Sequence, residues 1–249
     1  MTDRPLAGAT ALVTGASTGI GAATARRLAA EGAVLALVAR RRDRLDRLVS
    51  SLGGAACAIE ADLTTPEHAE GAVQEARDRL GRLDVLVNNA GVMLLGTALH
   101  ARLAEWDRMV ELNVSALLHV THAAVPYLID AAATAARGVA DIVNVSSTAG
   151  RVARPASSVY AFTRHGLTGF TESLRQELLA EHVRVGVVEP GAVDTGQLPG
   201  IGPDAARRQV GDIEPLRASD IADAIAYIVT RDRRVAVNEI LVRASDQTW

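Results

Sequence analysis

Short apolar runs alternate along the chain with longer amphipathic stretches. The short runs predict seven strands, at residues 10–13, 34–38, 56–59, 85–87, 141–145, 183–188 and 240–242. The longer stretches predict helices near residues 19–31, 42–52, 66–81, 103–130, 157–182 and 218–231. Strands that alternate with helices in this way predict an α/β fold with a parallel sheet. The strands are continuously apolar, which indicates helices on both faces of the sheet, since such a sheet buries every side chain.

The length and composition favour one large domain. The 249 residues are 49% hydrophobic and contain no internal repeat and no linker that divides them. We therefore predict a single-domain Rossmann fold over residues 1–249, with a doubly wound sheet of about seven strands. Residues 190–216 contain four prolines and five glycines without clear periodicity, which is typical of a substrate loop or lid.

Charge and composition exclude several other classes of protein. The net charge is -3 and the arginines are scattered, so we expect no nucleic-acid partner. The N-terminus lacks a signal-peptide pattern and no run of about 18 apolar residues occurs, which predicts no export and no membrane span. A single cysteine, Cys57, cannot form an internal disulfide, in keeping with a cytoplasmic protein. His119 and His122 lack a third ligand at suitable spacing, so we expect no metal.

A glycine-rich turn follows the first predicted strand. It reads Thr14-Gly15-Ala16-Ser17-Thr18-Gly19-Ile20-Gly21 and leads directly into a helix. Glycines allow a tight turn and close backbone approach, and the helix N-terminus then points unpaired amides at a pyrophosphate. A turn without a ligand is the alternative, but the strand-turn-helix context favours cofactor binding. The predicted contacts are Gly15, Ser17, Thr18, Gly19, Ile20 and Gly21.

The glycine spacing and three later motifs resemble the short-chain dehydrogenase/reductase (SDR) family. These motifs are Ala61-Asp62-Leu63, Asn88-Asn89-Ala90-Gly91 and Pro190-Gly191 with Thr195, in the order and at the intervals of the family, from about residue 8 to the end of the chain. The resemblance implies a contact of Asp62 with adenine and a turn beside the nicotinamide at residues 190–195. The further cofactor contacts that it implies are Asp62, Leu63, Asn89, Ala90, Gly91, Pro190, Gly191, Val193 and Thr195.

The end of the second predicted strand indicates which nicotinamide cofactor binds. An acid there would bond the ribose diol and repel a 2'-phosphate, whereas this chain has the small Ala39 followed by Arg40 and Arg41. Guanidinium groups make bidentate, charge-assisted contacts to phosphate. We therefore predict NADP(H). A solvated helix start is the alternative reading of the arginine run, and it suits Arg42 and Arg44 better.

The spacing of three polar residues further along the chain indicates a catalytic site. They are a serine, a tyrosine and an arginine. Tyr160 lies thirteen residues beyond Ser147, and Arg164 lies four residues after Tyr160, on the same face of a predicted helix. The SDR pattern is a serine, then Y-x-x-x-K, with an asparagine on the preceding long helix. The resemblance therefore implies catalytic roles for Asn113, Ser147 and Tyr160, and it places Arg164 where the family has a lysine.

These residue types suit carbonyl reduction. Hydride addition to a ketone or aldehyde leaves an alkoxide that needs a proton, and a tyrosine beside a cation can supply it. A serine hydroxyl would hold the carbonyl oxygen, and by resemblance Asn113 would hold a water of a proton relay. Arg164 keeps the positive charge and can bond the ribose, but arginine is a poor proton carrier. An NADP-binding pseudoenzyme and a non-redox family member, such as a dehydratase or epimerase, therefore remain alternatives.

All 26 basic residues counted as lysine or arginine are arginine. Arginine at position 164 was therefore either selected for its role at that site, or is one of many lysine-to-arginine replacements made under a selective pressure on the whole chain. Our hypothesis for such a pressure is a substrate or product electrophilic enough to modify amines.

The predicted substrate wall is mostly apolar. By family position it includes Met93, Leu95, Val152 and Arg154 together with the loop at 192–212, which favours a compact carbonyl compound with an apolar part. Arg154 could meet a carboxylate, although an exposed arginine is the simpler reading. The segments 93–96, 149–152 and 243–247 look similar to the branch that contains clavulanic-acid dehydrogenase, which implies secondary metabolism. The family resemblance also implies a homodimer or homotetramer formed through the helices at 103–130 and 157–182.

Overall fold

A computed structural model describes residues 4–195 and 213–248. Its strands are β1 (Thr10–Thr14), β2 (Val34–Ala39), β3 (Ala56–Glu60), β4 (Val85–Asn88), β5 (Ala140–Val145), β6 (Val183–Pro190), β7 (Val193–Asp194), β8 (Leu216–Arg217) and β9 (Glu239–Val242). Seven of them form one parallel sheet in the order β3-β2-β1-β4-β5-β6-β9. The two-residue strands β7 and β8 pair with each other.

Helices cover both faces of this sheet. They are α1 (Gly19–Ala30), α2 (Arg42–Ser51), α3 (Pro66–Leu80), α4 (Leu103–Val110), α5 (Ala116–Thr134), α6 (Ser158–Glu177) and α7 (Ala218–Val229). Apolar side chains of α1, α2 and α7 pack on one face, and those of α3, α5 and α6 pack on the other. The predicted α/β Rossmann fold, with seven parallel strands and helices on both faces, is confirmed.

The strand order locates the binding crevice. β1 pairs with β2 on one side and with β4 on the other, so the order of the strands reverses at β1. In open α/β sheets, ligands bind outside the carboxyl ends of the strands at such a switch point. Every residue of β1, β4 and β5 is buried, which makes this part of the sheet a rigid base for the crevice.

The structure differs from the predicted elements at three places. The helix predicted at 103–130 is interrupted by a π-helical turn, Glu111–Ser115, that separates α4 from α5. The helix predicted to reach residue 182 ends at Glu177, and His182 has a φ of 57° just before β6. The strands β7 and β8 were not predicted, because two residues carry no periodic pattern.

The continuous helical stretch Leu103–Thr134 is long and apolar enough, by length and composition, to cross a membrane. In the fold, however, α5 lies on the sheet and against α3. Ala116, Val120, Ala124 and Leu128, which recur at every fourth position, are buried in the same core cluster as residues of β4 and β5. The stretch is therefore a core helix of the Rossmann fold.

Candidate active site

The glycine-rich turn (residues 14–21) has the geometry of a phosphate cradle. Gly15 has a φ of +64°, and a Cβ there would lie 2.9 Å from Asn89 Nδ2. A Cβ at Gly21 would lie 2.5 Å from the Gly15 carbonyl oxygen. Thr18 at the N-cap of α1 makes no side-chain cap, and the first turn of α1 has no acidic residue. The amides at this helix end are therefore available to an anion.

The end of β4 is fixed against the same turn. Thr14 Oγ1 accepts hydrogen bonds from the amides of Asn89 and Ala90, both at 3.0 Å. Asn89 Nδ2 donates to the Thr14 carbonyl at 3.0 Å. On the opposite side, a Cβ at Gly19 would lie 3.1 Å from Thr195 Cβ. The predicted cofactor residues of the glycine-rich turn, of β4 and of the 190–195 segment thus meet at one place.

Arg41 lies directly over the glycine-rich turn. Its Nη2 is 3.3 Å from Ser17 Oγ and 3.4 Å from Thr18 Oγ1. It forms no ion pair with a carboxylate within residues 4–195 and 213–248. Burial lowers the pKa of Arg41, and repulsion from Arg44 and Arg40 lowers it further. An unmatched positive charge beside a phosphate cradle favours a second anionic group on the ligand.

Arg40 and Asp62 share a cleft of about 620 Å³ between the carboxyl end of β3 and α3. Asp62 Oδ1 accepts hydrogen bonds from the Thr64 amide and hydroxyl, at 3.2 and 2.8 Å. Burial acts to raise the pKa of Asp62, but these bonds, with the charges of Arg108 and Arg40, hold it below its ordinary value. Leu63 is buried behind it. The cleft thus brings Arg40 and Asp62, both predicted to contact the cofactor, to one place.

Tyr160 and Arg164 are both buried at the start of α6. The Arg164 Cζ lies 5.1 Å from the centroid of the Tyr160 ring, and Nη1 donates to the Val145 carbonyl at 3.2 Å. Nη2 lies 2.6 Å from where a Cβ of Gly91 would be, so only glycine leaves room for the guanidinium. Nε has no hydrogen-bond partner among the described residues. A buried cation with an unused donor is thus aimed between the ends of β4 and β5.

The pairing of tyrosine and arginine at this spacing is not by itself a site. Tyr227 on α7 and Arg231, two residues after the helix ends, have the same i, i+4 spacing, with the Arg231 Cζ 4.2 Å from the ring centroid. Tyr227 is 51% exposed, whereas Tyr160 is 9% exposed and lies beside Arg164, which bonds the end of β5. Location and burial, and not the pair alone, distinguish Tyr160 and Arg164.

The two adjacent serines differ in their surroundings. Ser146 is buried, and its Oγ donates to the Arg164 carbonyl at 3.4 Å. Ser147 is half-exposed at the N-cap of the 3₁₀ turn Thr148–Gly150, and its Oγ accepts from the Ala149 amide at 3.1 Å. That bond uses a lone pair of Ser147 and leaves its hydroxyl proton available for a carbonyl oxygen. The geometry therefore favours Ser147 over Ser146 as the reacting serine.

Asn113 lies in the π-helical turn, and its side chain is fully engaged. Oδ1 accepts from the Val92 amide at 2.8 Å, and Nδ2 donates to the Val92 carbonyl at 2.9 Å. The side chain therefore clamps the segment after β4 and offers no free group to a water. π turns recur at functional sites. A relay role for Asn113 stays a prediction and would have to use another atom of the residue.

Two segments form the wall predicted to contact the substrate. Met93 and Leu95 are half-buried, Val152 is 48% exposed, and burial lowers the pKa of the half-buried Arg154. The Gly96 amide donates to the Ala156 carbonyl at 2.9 Å, which ties the two segments together. Residues 196–212 of the predicted lid lie outside the described residues, so its role stays a prediction. The Leu216 amide donates to the Ala192 carbonyl at 2.9 Å and joins the two ends of the 190–216 segment.

Ala156 in this wall has a φ of +65°, a conformation that L-residues rarely adopt. We expect Ala156→Gly to stabilise the protein by about 1 kcal/mol, because it removes the strain of a left-handed alanine. Thermal unfolding should show a midpoint about 2–4 °C higher. Ala153→Gly, at an exposed position of the same loop without a positive φ, is the control and should not stabilise. Equal effects of the two substitutions would contradict the strain argument.

Several contributors to this site were not found by sequence reasoning. Thr14 begins the glycine motif, but no local pattern marks it as the acceptor that fixes the end of β4. Gln247 lies in the C-terminal segment 243–247, and no local pattern marks its burial against the 190–195 segment. No group of three or more potential metal ligands lies together within the described ranges, and the expected absence of a metal stays a prediction.

The residues present fit a nicotinamide dinucleotide. Gly15 and Gly21 leave space that a Cβ would fill, and the amides at the start of α1 have no side-chain cap. Within the described residues, Arg41 forms no ion pair with a carboxylate and Arg164 Nε has no hydrogen-bond partner. A dinucleotide would place its pyrophosphate at α1, its adenosine in the cleft of Arg40, and its nicotinamide ribose near Arg164.

Comparison with known proteins agrees with this geometry. The family model for short chain dehydrogenases matches residues 9–205. An uncharacterized oxidoreductase of Staphylococcus epidermidis is 33% identical over 94% of this chain and 96% of its own length. A 3-ketoacyl-(acyl-carrier-protein) reductase from Brucella melitensis, complexed with NADH, superimposes with a TM-score of 0.86 at 30% identity, over 95% of this chain and 97% of its own. A short chain dehydrogenase from Burkholderia cenocepacia, in complex with NADP, gives a TM-score of 0.85 at 33% identity, over 96% and 98%. The chain therefore belongs to the short-chain dehydrogenase family and is an oxidoreductase of that family.

Proposed function

We propose that the protein reduces a ketone or aldehyde to an alcohol with NADPH, or catalyses the reverse reaction. The observation that carries this proposal is the buried Tyr160–Arg164 pair at the switch point of the sheet, beside the phosphate cradle. A phenol needs such a neighbouring cation to exchange a proton with an alkoxide efficiently.

Each residue has a separate role in this proposal. Bound NADPH supplies a hydride to the carbonyl carbon. The Ser147 hydroxyl donates a hydrogen bond to the carbonyl oxygen and stabilises the charge that develops there. Tyr160 donates its proton to that oxygen, and the Arg164 guanidinium stabilises the phenolate that remains. Arg164 Nε and Nη2 would in addition hold the nicotinamide ribose.

The choice of NADP(H) rests on the arginines after β2. The related structures contain NADH in one case and NADP in the other, so the family admits both cofactors. In this chain Ala39 is small, and Arg41 lies beside the cradle without a carboxylate ion pair among the described residues. Charge-assisted hydrogen bonds of this kind contribute about 1.5–3 kcal/mol.

We expect Arg41→Met to weaken NADPH binding about 10- to 100-fold and to leave NADH binding within about 2-fold, because only NADPH carries the 2'-phosphate. Titration of nicotinamide fluorescence measures both affinities. Arg42→Met is the matched control, since Arg42 forms an exposed ion pair with Asp46 and should affect neither cofactor. Equal loss of both cofactors in Arg41→Met would contradict the assignment.

The remaining parts of the proposal rest on resemblance. The segments similar to clavulanic-acid dehydrogenase favour a substrate from secondary metabolism, and the half-buried Met93 and Leu95 favour one with an apolar part. We also propose that the protein forms a homodimer or homotetramer through α5 and α6. Leu118 on α5 and Phe162 on α6 are exposed at 38% and 66%. A cytoplasmic location remains a prediction from the cysteine count.

A panel of aldehydes and ketones, assayed by NADPH oxidation with product identification, tests the proposed reaction. Carbonyl reduction should consume one NADPH for each alcohol formed. Tight NADPH binding without oxidation by any member would favour the pseudoenzyme. Conversion without net consumption of NADPH would favour a dehydratase or epimerase. Mass adducts on variants with reintroduced lysines, after incubation with the true substrate, would support the electrophile hypothesis, and their absence would refute it.

A further inference from the structure

The turn beside the nicotinamide position is held by the C-terminal part of the chain. The Gly191 amide donates to the Val242 carbonyl at 2.7 Å, and the Ala192 carbonyl accepts from the Leu216 amide at 2.9 Å. The Ala192 amide donates to Gln247 Oε1 at 3.0 Å. All three partners lie beyond residue 205, where the match to the family model ends.

Gln247 makes the most specific of these contacts. Its side chain is buried, with 6% of the residue exposed, and its backbone amide bonds the Ala244 carbonyl at 3.0 Å. Oε1 occupies the space where a Cβ of residue 191 would be, so the glycine at 191 leaves room for the Gln247 side chain. Nε2 has no partner among the described residues. The amide oxygen is therefore the atom through which Gln247 acts.

The contact can be followed to the cofactor site. Three residues after Ala192, Thr195 lies against Gly19 of the glycine-rich turn. The segment from Gly191 to Thr195 therefore bridges the Gln247 amide and the phosphate cradle. A shift at Ala192 would move the wall against which the nicotinamide ring would lie, and displacements of about 1 Å at a reacting centre cost about 100-fold in rate.

We infer that Gln247 is a positioning residue for hydride transfer, which fixes the Gly191–Thr195 segment against the nicotinamide through the Ala192 amide. The inference rests on the proposed function. It assigns to the C-terminal segment a part in the active site, although that segment supplies no group that touches the reacting atoms.

Gln247→Met removes the acceptor at nearly constant volume, and Gln247→Glu keeps an acceptor oxygen while replacing the nitrogen that bonds nothing. In single turnovers with saturating NADPH and carbonyl substrate, we expect the rate constant for NADPH oxidation to fall about 10- to 100-fold in Gln247→Met. It should return to within about 3-fold of the original in Gln247→Glu. Thr248→Ala, at the exposed neighbouring position, should leave the rate constant unchanged.

The amplitude of the turnover separates positioning from loss of structure. A partly unfolded variant would give a smaller amplitude with an unchanged rate constant, and that result would overturn the inference. Nicotinamide fluorescence at saturating NADPH requires no turnover, so it decides the inference even where carbonyl reduction fails. We expect the emission lifetime of the bound nicotinamide to change in Gln247→Met and not in Gln247→Glu; the same lifetime in all variants would refute the inference while leaving the proposed reaction intact.

Discussion

Replacement of Tyr160 by phenylalanine is expected to lower the rate of carbonyl reduction by about 10³-fold, because the variant keeps the aromatic ring but has no proton to give. The phenyl ring would still fill the buried position under the Arg164 guanidinium, 5.1 Å from its Cζ. NADPH affinity should therefore stay within about 3-fold, and the loss should fall on kcat. Steady-state kinetics together with fluorescence titration of NADPH measures the two effects separately.

Tyr227→Phe is the matched control for this experiment. Tyr227 stacks with Arg231 at the same sequence spacing, but it lies on α7 and is half-exposed. Its replacement should leave kcat unchanged. Full activity in Tyr160→Phe would mean that the proton comes from another group, and the catalytic assignment would then be wrong. Retained NADPH binding with lost turnover would also show that the variant is folded.

The fold could be predicted from the sequence because a sheet that is buried on both faces requires mostly apolar strands. β1, β4 and β5 are buried at every position, so most of their residues are apolar and the strands are easily separated from the helices. The π turn at Glu111–Ser115 could not be predicted in the same way. Asn113 in this turn bonds the Val92 backbone, and a contact between residues 21 positions apart leaves no local pattern.

The candidate site was predicted to the extent that its residues lie in contiguous motifs. The glycine-rich turn, Asn89 and Tyr160 were identified from short segments whose chemistry depends on local spacing. Gln247 was not, because its contact with Ala192 joins residues 55 positions apart and depends on how β6 and β9 align. A glutamine near a chain end carries no signal of burial, and only the packed structure places it at the turn.

The role of Arg164 depends on its positive charge. A guanidinium remains protonated at every pH at which an enzyme works, whereas a lysine ammonium has an ordinary pKa of about 10.4 and titrates lower when buried. The phenol of Tyr160 therefore experiences a constant positive charge at 5.1 Å from its ring. Arg164 Nη1 also donates a hydrogen bond to the Val145 carbonyl. This bond holds the guanidinium in place while the Tyr160 proton is transferred.

Arg164→Met should lower kcat/KM for carbonyl reduction by about 10²- to 10³-fold, since it removes both the charge that stabilises the phenolate and the predicted contact to the ribose. Arg231→Met, which removes the arginine that contacts Tyr227, should have no such effect. Thermal unfolding of both variants verifies that they are folded. An Arg164→Met enzyme with unchanged kcat/KM would exclude Arg164 from the mechanism.

Arg164→Lys distinguishes a constant charge from a proton carrier. If Arg164 acts only as a fixed charge, the lysine variant should retain activity to within about 10-fold near neutral pH and lose it as the pH approaches the pKa of the new ammonium. The original enzyme should show no such alkaline loss in the same range. An increase of about 10-fold or more in the variant at neutral pH would instead indicate that proton transfer through this position limits the original enzyme. The pH profiles of kcat for the two enzymes, measured in both reaction directions, distinguish these outcomes. They decide whether Arg164 supports the reaction as a fixed charge or slows it because it does not transfer protons.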